Sequence, residues 1–282
     1  YLHIWSNYDI RIGDPWVVPG GGFTLNSACW ASGLNFHGVG AAVKGSAYYG
    51  VALISPVHFI SAAHTHINTG TTVYFILPDG SVHTATVATD SLQVDTEDID
   101  VGLLSAAVPA GIPFYSVLPE DYDDHLTLDP TDLTDTNSDG ADYPTYPTVA
   151  QADGLSGKPA IMMEQERRAC VGRIVRSAEL SSVLVYGTGD PKYPDRDDYW
   201  IELVGGDSGW PTFLLLDGEL VLLGAHVSAI VDRHLAFNAD VVNAHMTTLH
   251  GSAEYQLTQA GLGTATQIIR RISSSSESVV RV

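Results

Sequence analysis

Residues 53–64 read LISPVHFISAAH. An apolar run of strand length, a Ser-Pro turn and a second apolar run follow one another, and the stretch ends in small residues and a histidine. Similar β-branched and aromatic runs, separated by Gly, Pro, Asn and Asp, recur along most of the chain, and helical periodicity is nearly absent. The sequence therefore predicts an all-β protein, built as an antiparallel sandwich or barrel.

The same pattern predicts nine strands. They cover residues 47–54, 72–77, 82–88, 101–104, 170–176, 182–186, 200–203, 212–216 and 220–227. Between the last two, Asp217 and Gly218 are typical of a tight hairpin, because Asp-Gly tolerates the positive φ angles that such turns require. One helix is predicted near the C-terminus, where Asp240 is placed to cap it and Gly251 to end it.

Residues 118–147 are dense in Asp and Pro and lose the apolar pattern, which indicates a surface connection between two β units. The chain then divides into an N-terminal extension (1–22), a first β unit (23–118), an acidic connection (119–146), a second β unit (147–239) and a C-terminal helix with its tail (240–282).

The composition excludes several function classes. The 282 residues carry 13 basic and 33 acidic side chains, a formal charge of −20. This charge opposes contact with phosphate backbones and anionic lipid, so neither nucleic acid nor a membrane is an expected partner.

The first residue is Tyr1 rather than Met, which favours a secreted protein, extracellular or periplasmic, whose leader has been removed. Cys29 and Cys170 permit either one disulfide or two buried thiols.

The most specific string is Gly206-Asp207-Ser208-Gly209. Glycines on both sides let the chain turn sharply, which exposes the Ser208 hydroxyl and lets the backbone N–H groups of Gly206 and Ser208 converge on one point. Two N–H groups aimed at one point can form an oxyanion hole. The alternative interpretation is a polar turn with no chemical role.

A histidine and a carboxylate complete a constellation for nucleophilic catalysis. The imidazole of His64 can take a serine proton and return it to a leaving group. A carboxylate at the start of an apolar strand can be partly buried against that imidazole and fix its orientation. Asp100 is the first choice for this role, and Asp98 is the alternative.

In the order His64, Asp100 and Ser208, these strings resemble the trypsin-like serine peptidases, and the match extends from about residue 22 to residue 249. The resemblance implies two packed six-stranded antiparallel β-barrels with a C-terminal helix, the first barrel carrying His64 and Asp100 and the second Ser208. It also implies hydrolysis of protein or peptide substrates by acyl transfer, without a required cofactor. We expect a monomer.

The chain departs from relatives that are activated by cleavage, whose new N-terminal amine pairs with the aspartate matching Asp207. The Ile-Val-Gly-Gly type of start that supplies this amine is missing from the sequence. We therefore expect another group to satisfy Asp207.

Two residues are candidates for the substrate pocket. Gly224-Ala225-His226 resembles the Gly-x-His strand of glutamyl endopeptidases and 3C-like proteases, whose histidine reads a Glu or Gln side chain. Glu202 stands where trypsins keep the acid that attracts Lys or Arg. His226 would favour Glu or Gln at P1, whereas Glu202 would favour Lys or Arg, and we expect Glu or Gln. The alternative interpretation of His226 is a buried core histidine.

Asp135, Asn137 and Asp139, followed by Gly140, match the first half of a calcium loop, although Tyr146 stands where the bidentate acid is expected. The segment is interpreted first as an acidic surface loop and second as a structural calcium site.

A second hypothesis for the whole protein is a catalytically idle binding or adhesion module on the same fold. The presence of a serine, a histidine and an aspartate together favours the enzyme.

Overall fold

The computed structural model describes residues 9–13, 23–126, 154–155, 157–175, 182–186, 199, 201, 203–228, 231–234 and 238–262. Thirteen strands and one α-helix lie in these ranges. The strands of the first half are β1 (Val39–Lys44), β2 (Ala47–Leu53), β3 (His58–Ser61), β4 (Thr72–Ile76), β5 (Val82–Gln93), β6 (Asp100–Leu104) and β7 (Ser116–Val117). Those of the second half are β8 (Pro159–Met163), β9 (Ala169–Val175), β10 (Ser182–Tyr186), β11 (Pro211–Leu216), β12 (Glu219–Ser228) and β13 (Val231–His234).

The first six strands form a closed antiparallel barrel in the order β1-β2-β3-β6-β5-β4. The stretch 53–64 supplies the end of β2 and all of β3, and Ala52 pairs with Ile60 across the intervening turn. A glycine lets an aromatic ring lie close to the sheet: a Cβ on Gly102 would lie 2.1 Å from the ring of Phe59. The predicted six-stranded first barrel is confirmed.

The second half forms a seven-stranded sheet in the order β11-β8-β9-β10-β13-β12-β7. Strand β11 pairs with both β8 and β12, and β7 is parallel to β12. The Asp217-Gly218 hairpin between β11 and β12 is confirmed, with φ angles of 50° and 86°. A second closed barrel stays a prediction.

The predicted strand at 200–203 is wrong where the structure describes it, because Ile201 and Leu203 are not in a strand. The acidic connection lies largely outside the described residues.

One helix, α1, extends over Ala239–His250. Gly251 ends it as predicted, with a φ of 77° and its N–H donated to the carbonyl of Thr247. The prediction for its start is wrong, because Asn238 occupies the N-cap position and Asp240 lies in the first turn. No helix in the described ranges has the length and apolar character needed to cross a membrane.

The apolar core joins the two halves. One cluster of buried side chains contains Ile60 and Val101 of the first barrel, Phe213 and Leu222 of the second sheet, and Met246 of α1. Because burial of apolar area is the main stabilising term, this shared cluster fixes the two halves against each other.

Both cysteines are buried free thiols. Burial raises the pKa of Cys29 to about 11 and raises that of Cys170 as well. Of the two alternatives left by the sequence, the structure has the buried thiols.

His58 fastens α1 to the barrel. Its Nε2–H donates to the carbonyl of Met246 (3.1 Å), and its Nδ1 lies 2.8 Å from the Oγ of Ser55. Since Ser55 Oγ already accepts the N–H groups of Val57 and His58, its own proton is directed to Nδ1. The ring is fully buried and neutral in this arrangement, and burial lowers its pKa to about 4.

We expect His58 to make the fold sensitive to acid. A lowered pKa in the folded state means that the stabilisation is fully present above the ordinary value of about 6.5 and is lost as the pH falls toward 4. Allowing for solvent screening, the free energy of unfolding of the wild type should fall by about 2 kcal/mol more between pH 7 and pH 4 than that of His58→Gln, whose amide still donates to Met246. Urea unfolding at both pH values measures this, and equal losses in the two proteins would contradict it.

Candidate active site

His64 lies just after β3, in a 3₁₀ turn over Ala63–Thr65. The hydroxyl of Thr65 donates to the carbonyl of Ala62 (2.6 Å). The ammonium of Lys44 donates to the carbonyls of Thr65 and His66 at 3.1 and 3.2 Å, which holds the turn where it leaves the barrel. The imidazole of His64 is 46% exposed, so a solvent-borne molecule can reach it.

The register of β3 and β6 decides which carboxylate meets His64. Ser61 pairs with Asp100 in this antiparallel ladder. Two residues further along, Ala63 therefore lies opposite Asp98, and its N–H donates to the Asp98 carbonyl (3.2 Å). The carboxylate of Asp98 then accepts the N–H of His64 at Oδ1 (2.8 Å).

The serine loop, residues 204–210, connects to β11 through two glycines in left-handed conformations. The φ angles are 110° at Gly206 and 83° at Gly209, where a side chain would be strained. The N–H of Gly209 donates to the carbonyl of His226 (2.9 Å), and that of Trp210 to the carbonyl of Asp207 (3.3 Å). The first bond joins the loop to β12 of the second sheet, and the second closes a turn within the loop.

The serine loop meets the first barrel at Gly50 of β2. The N–H of Gly50 donates to the carbonyl of Ser208 (3.2 Å), and its carbonyl accepts the hydroxyl of Ser61 (2.7 Å). A Cβ on Gly50 would lie 2.3 Å from the backbone nitrogen of Trp210, and one on Gly209 would lie 2.4 Å from the Gly50 carbonyl oxygen. Both positions must be glycine for the two backbones to approach this closely.

A hydrogen-bonded row of three side chains results. His64 Nδ1 lies 2.7 Å from Asp98 Oδ2, and His64 Nε2 lies 2.7 Å from Ser208 Oγ. Because a carboxylate only accepts, Nδ1 carries the proton and Nε2 is free to accept the hydroxyl proton of Ser208. The row can therefore move a proton from the serine oxygen to the imidazole.

The prediction of Asp100 as the partner of His64 is corrected by this geometry. Asp100 is 3% exposed, and its Oδ2 accepts the hydroxyl of Ser91 rather than a proton of His64. Burial raises the pKa of Asp100, and the Ser91 hydrogen bond opposes this. Asp98, the alternative, occupies the position beside the imidazole.

The serine loop carries two backbone donors, at Gly206 and Ser208, that the sequence marks as candidates for an oxyanion hole. Within the described ranges, the N–H groups of Gly206 and Ser208 donate to no protein acceptor. Asp207, between them, is buried and accepts the N–H groups of Val204 (2.7 Å) and Gln165 (3.1 Å) at its two oxygens. The expectation that another group satisfies Asp207 is met by these backbone N–H groups.

The side chain of His226 is buried in the interior of the protein. It is 2% exposed, Nε2–H donates to the carbonyl of Met163 (3.0 Å), and Nδ1 lies 3.4 Å from the hydroxyl of Thr212. This placement corrects its assignment to the substrate pocket and matches the alternative of a core histidine. Glu202 lies outside the described residues.

The calcium-loop residues Asp135, Asn137 and Asp139 also lie outside the described residues. In the part of the chain that is described, no group of three or more His, Cys, Asp and Glu side chains is placed to hold a metal ion.

Sequence pattern missed Gly50, Lys44 and Gln165 as contributors to the site. Gly50 stands in the stretch before 53–64 and carries no chemical signal. The ammonium of Lys44 bonds to backbone carbonyls, and the backbone N–H of Gln165 bonds to Asp207, and a pattern of side-chain types reveals neither contact.

No protein-family model and no curated protein matches the chain, so the inference of function depends on the site itself.

We expect the Gly50 contact to be needed for both stability and assembly of the row. Gly50→Ala places a methyl group against the backbone of Trp210, and overpacking of this kind costs about 1–3 kcal/mol. Urea unfolding should show this loss. Gly33→Ala is the matched control, because a Cβ at Gly33 meets nothing within 4 Å. Equal stabilities of the two variants would contradict the close approach.

Asp98 and Asp100 can be distinguished by the proton on His64 Nδ1. A proton shared with a carboxylate at 2.7 Å gives a strongly downfield ¹H NMR signal, which we expect in the wild type and in Asp100→Asn but not in Asp98→Asn. Retention of the signal in Asp98→Asn together with its loss in Asp100→Asn would reverse the assignment.

Proposed function

We propose that the protein is a trypsin-like serine endopeptidase that hydrolyses peptide bonds through Ser208, His64 and Asp98. The observation that carries this proposal is the hydrogen-bonded row in which His64 Nε2 lies 2.7 Å from Ser208 Oγ and Nδ1 lies 2.7 Å from Asp98. Residues 64 and 208 come from different halves of the chain, and a row of this order is the arrangement that activates a serine hydroxyl.

The reaction proceeds in two halves. His64 Nε2 takes the proton of Ser208 as Oγ attacks the peptide carbonyl carbon, and the imidazolium then gives that proton to the leaving amine as the C–N bond breaks. Water enters, His64 takes one of its protons, and the hydroxide oxygen attacks the acyl carbon. The proton returns to Ser208 as the carboxylic acid leaves, so serine and histidine are restored.

Asp98 fixes the tautomer in this mechanism. Its Oδ2 accepts the Nδ1 proton and its Oδ1 accepts the backbone N–H of His64, so the ring is held at two points. When the ring becomes an imidazolium, the carboxylate stabilises the charge without taking the proton.

The N–H groups of Gly206 and Ser208 form the proposed oxyanion hole. Both lie in a loop whose turn is set by the φ angle of 110° at Gly206 and by the bonds to Asp207. Each such donor contributes about 100- to 1,000-fold in rate when it meets the negative oxygen of the intermediate.

The proposal includes the finer architecture, two packed barrels with the site between them. The pairing of β11 with both β8 and β12 is consistent with closure of the second sheet. We also propose that the protein acts on proteins or peptides, that it is secreted and that it is a monomer. A preference for Glu or Gln at P1 has no support from the interior position of His226.

A fluorophosphonate probe tests the proposed function, because it phosphonylates a serine only when a base and an oxyanion hole activate it. We expect labelling of the wild type and of Ser81→Ala, an exposed serine in a turn, and no labelling of folded Ser208→Ala. Peptide hydrolysis should fall by at least about 1,000-fold in Ser208→Ala and by a comparable factor in Asp98→Asn. A folded wild type that neither reacts with the probe nor cuts peptides would support the binding module instead.

A further inference from the structure

Besides its contacts with His226 and Gly50, the serine loop is held through Asp207 by a turn of the second sheet. Of the two N–H groups that Asp207 accepts, that of Val204 belongs to the loop itself, whereas that of Gln165 comes from a position 42 residues earlier. Burial raises the pKa of Asp207, and these two N–H groups oppose that shift by stabilising the carboxylate. The conformation of the loop therefore depends on where Gln165 is placed.

Gln165 belongs to the turn between β8 and β9, residues 164–168. Glu164 is buried, and its carboxylate accepts the N–H groups of Glu166 and Arg168, both at 2.9 Å. The guanidinium of Arg168 donates to both oxygens of the same carboxylate, at 2.8 Å from Nε and 3.2 Å from Nη2. A buried carboxylate with four donors, two of them from a guanidinium, fixes a turn strongly.

The side chain of Gln165 also contacts the loop beside the proposed oxyanion hole. A Cβ on Gly206 would lie 2.6 Å from Gln165 Oε1, so the amide lies directly against Gly206. The Nε2 atom lies 3.4 Å from the carbonyl oxygen of Gly205. Gln165 thus reaches both residues that precede Asp207.

The N-terminal segment supports the opposite side of the turn. The N–H of Ile12 donates to the carbonyl of Arg167 (2.9 Å), and that of Ala169 donates to the carbonyl of Ile10 (2.8 Å). The turn is therefore held between the segment 9–13 and the serine loop.

We propose that the 164–168 turn is the positioning element of the serine loop, with Gln165 as the residue that holds Gly206 and Ser208 in the orientation of the oxyanion hole through its N–H bond to Asp207. This rests on the proposed function, since the orientation matters only if a substrate oxyanion forms there. Gln165 is a positioning residue and acts through Asp207.

Gln165→Pro removes the N–H while keeping the turn. The N–H of Arg167 donates to the carbonyl of Glu164, so residue 165 is the second residue of a β-turn, the position that proline favours. Gln165→Ala is the matched variant, because it loses the side-chain amide and keeps the N–H. Asp79→Ala serves as the control for a general loss of stability, because the Asp79 carboxylate likewise accepts a backbone N–H, that of Ser81, in a distant turn.

The kinetics of peptide hydrolysis, compared with Tm, distinguish a loss of loop positioning from a general loss of stability. We expect kcat of Gln165→Pro to be about 10- to 100-fold below that of Gln165→Ala, with KM changed by less than about threefold, because the loss falls on the transition state. Asp79→Ala should lower Tm and leave kcat unchanged. Equal kcat values in Gln165→Pro and Gln165→Ala, or a kcat that follows Tm in all three variants, would overturn the proposal.

Amide hydrogen exchange makes failure of this inference distinguishable from failure of the proposed function. Faster exchange at residues 204–208 in Gln165→Pro than in Gln165→Ala shows the coupling without any substrate. If this difference in exchange is seen but the wild type hydrolyses no peptide, the proposed peptidase function and the oxyanion role are wrong, while the coupling between the turn and the loop is confirmed. Equal exchange at residues 204–208 in the two variants would contradict the coupling, whether or not the wild type hydrolyses peptides.

Discussion

The backbone of β2 and the backbone of the serine loop touch at Gly50, and the site depends on this contact. The N–H of Gly50 reaches the carbonyl of Ser208, and the space between Gly50 and Gly209 admits no side chain. Since β2 leads directly into β3 and so to His64, the contact fixes the imidazole and the serine oxygen relative to each other. Side-chain packing in the shared core then keeps the two halves together.

The pairing of His64 with Ser208 could be predicted from the sequence because each of these side chains stands in a local pattern. A strand that ends in small residues carries His64, and glycines surround Ser208. The structure brings these two residues within hydrogen-bond distance. The strand pattern predicts four of the six strands of the first barrel, β2, β4, β5 and β6, and the six-stranded barrel itself is implied by the family resemblance. Strand β3 is buried throughout and β1 nearly so, so neither shows an alternation of buried and exposed residues.

The choice of carboxylate could not be predicted, because Asp98 and Asp100 are two residues apart and point to the same side of an extended chain. Only the pairing of Ser61 with Asp100 places Asp98 opposite Ala63, so that its carboxylate reaches the neighbouring His64. The interior position of His226 could not be predicted either, because strand pairing determines that Met163 and Thr212 are its partners. Strands β1 and β8 were missed because a Gly- and Ala-rich run and a proline-initiated run carry weak strand signals.

The hairpin of β11 and β12 has a consequence for the order in which the molecule assembles. Its strands are neighbours in the chain and turn through Asp217-Gly218, so this pair can form early at small entropic cost. The pair of His64 and Ser208 spans 144 positions and needs both halves in place. The Ser208 hydroxyl of a nascent or partly folded chain therefore has no imidazole beside it, and the hydrogen-bonded row forms only once the two halves have docked.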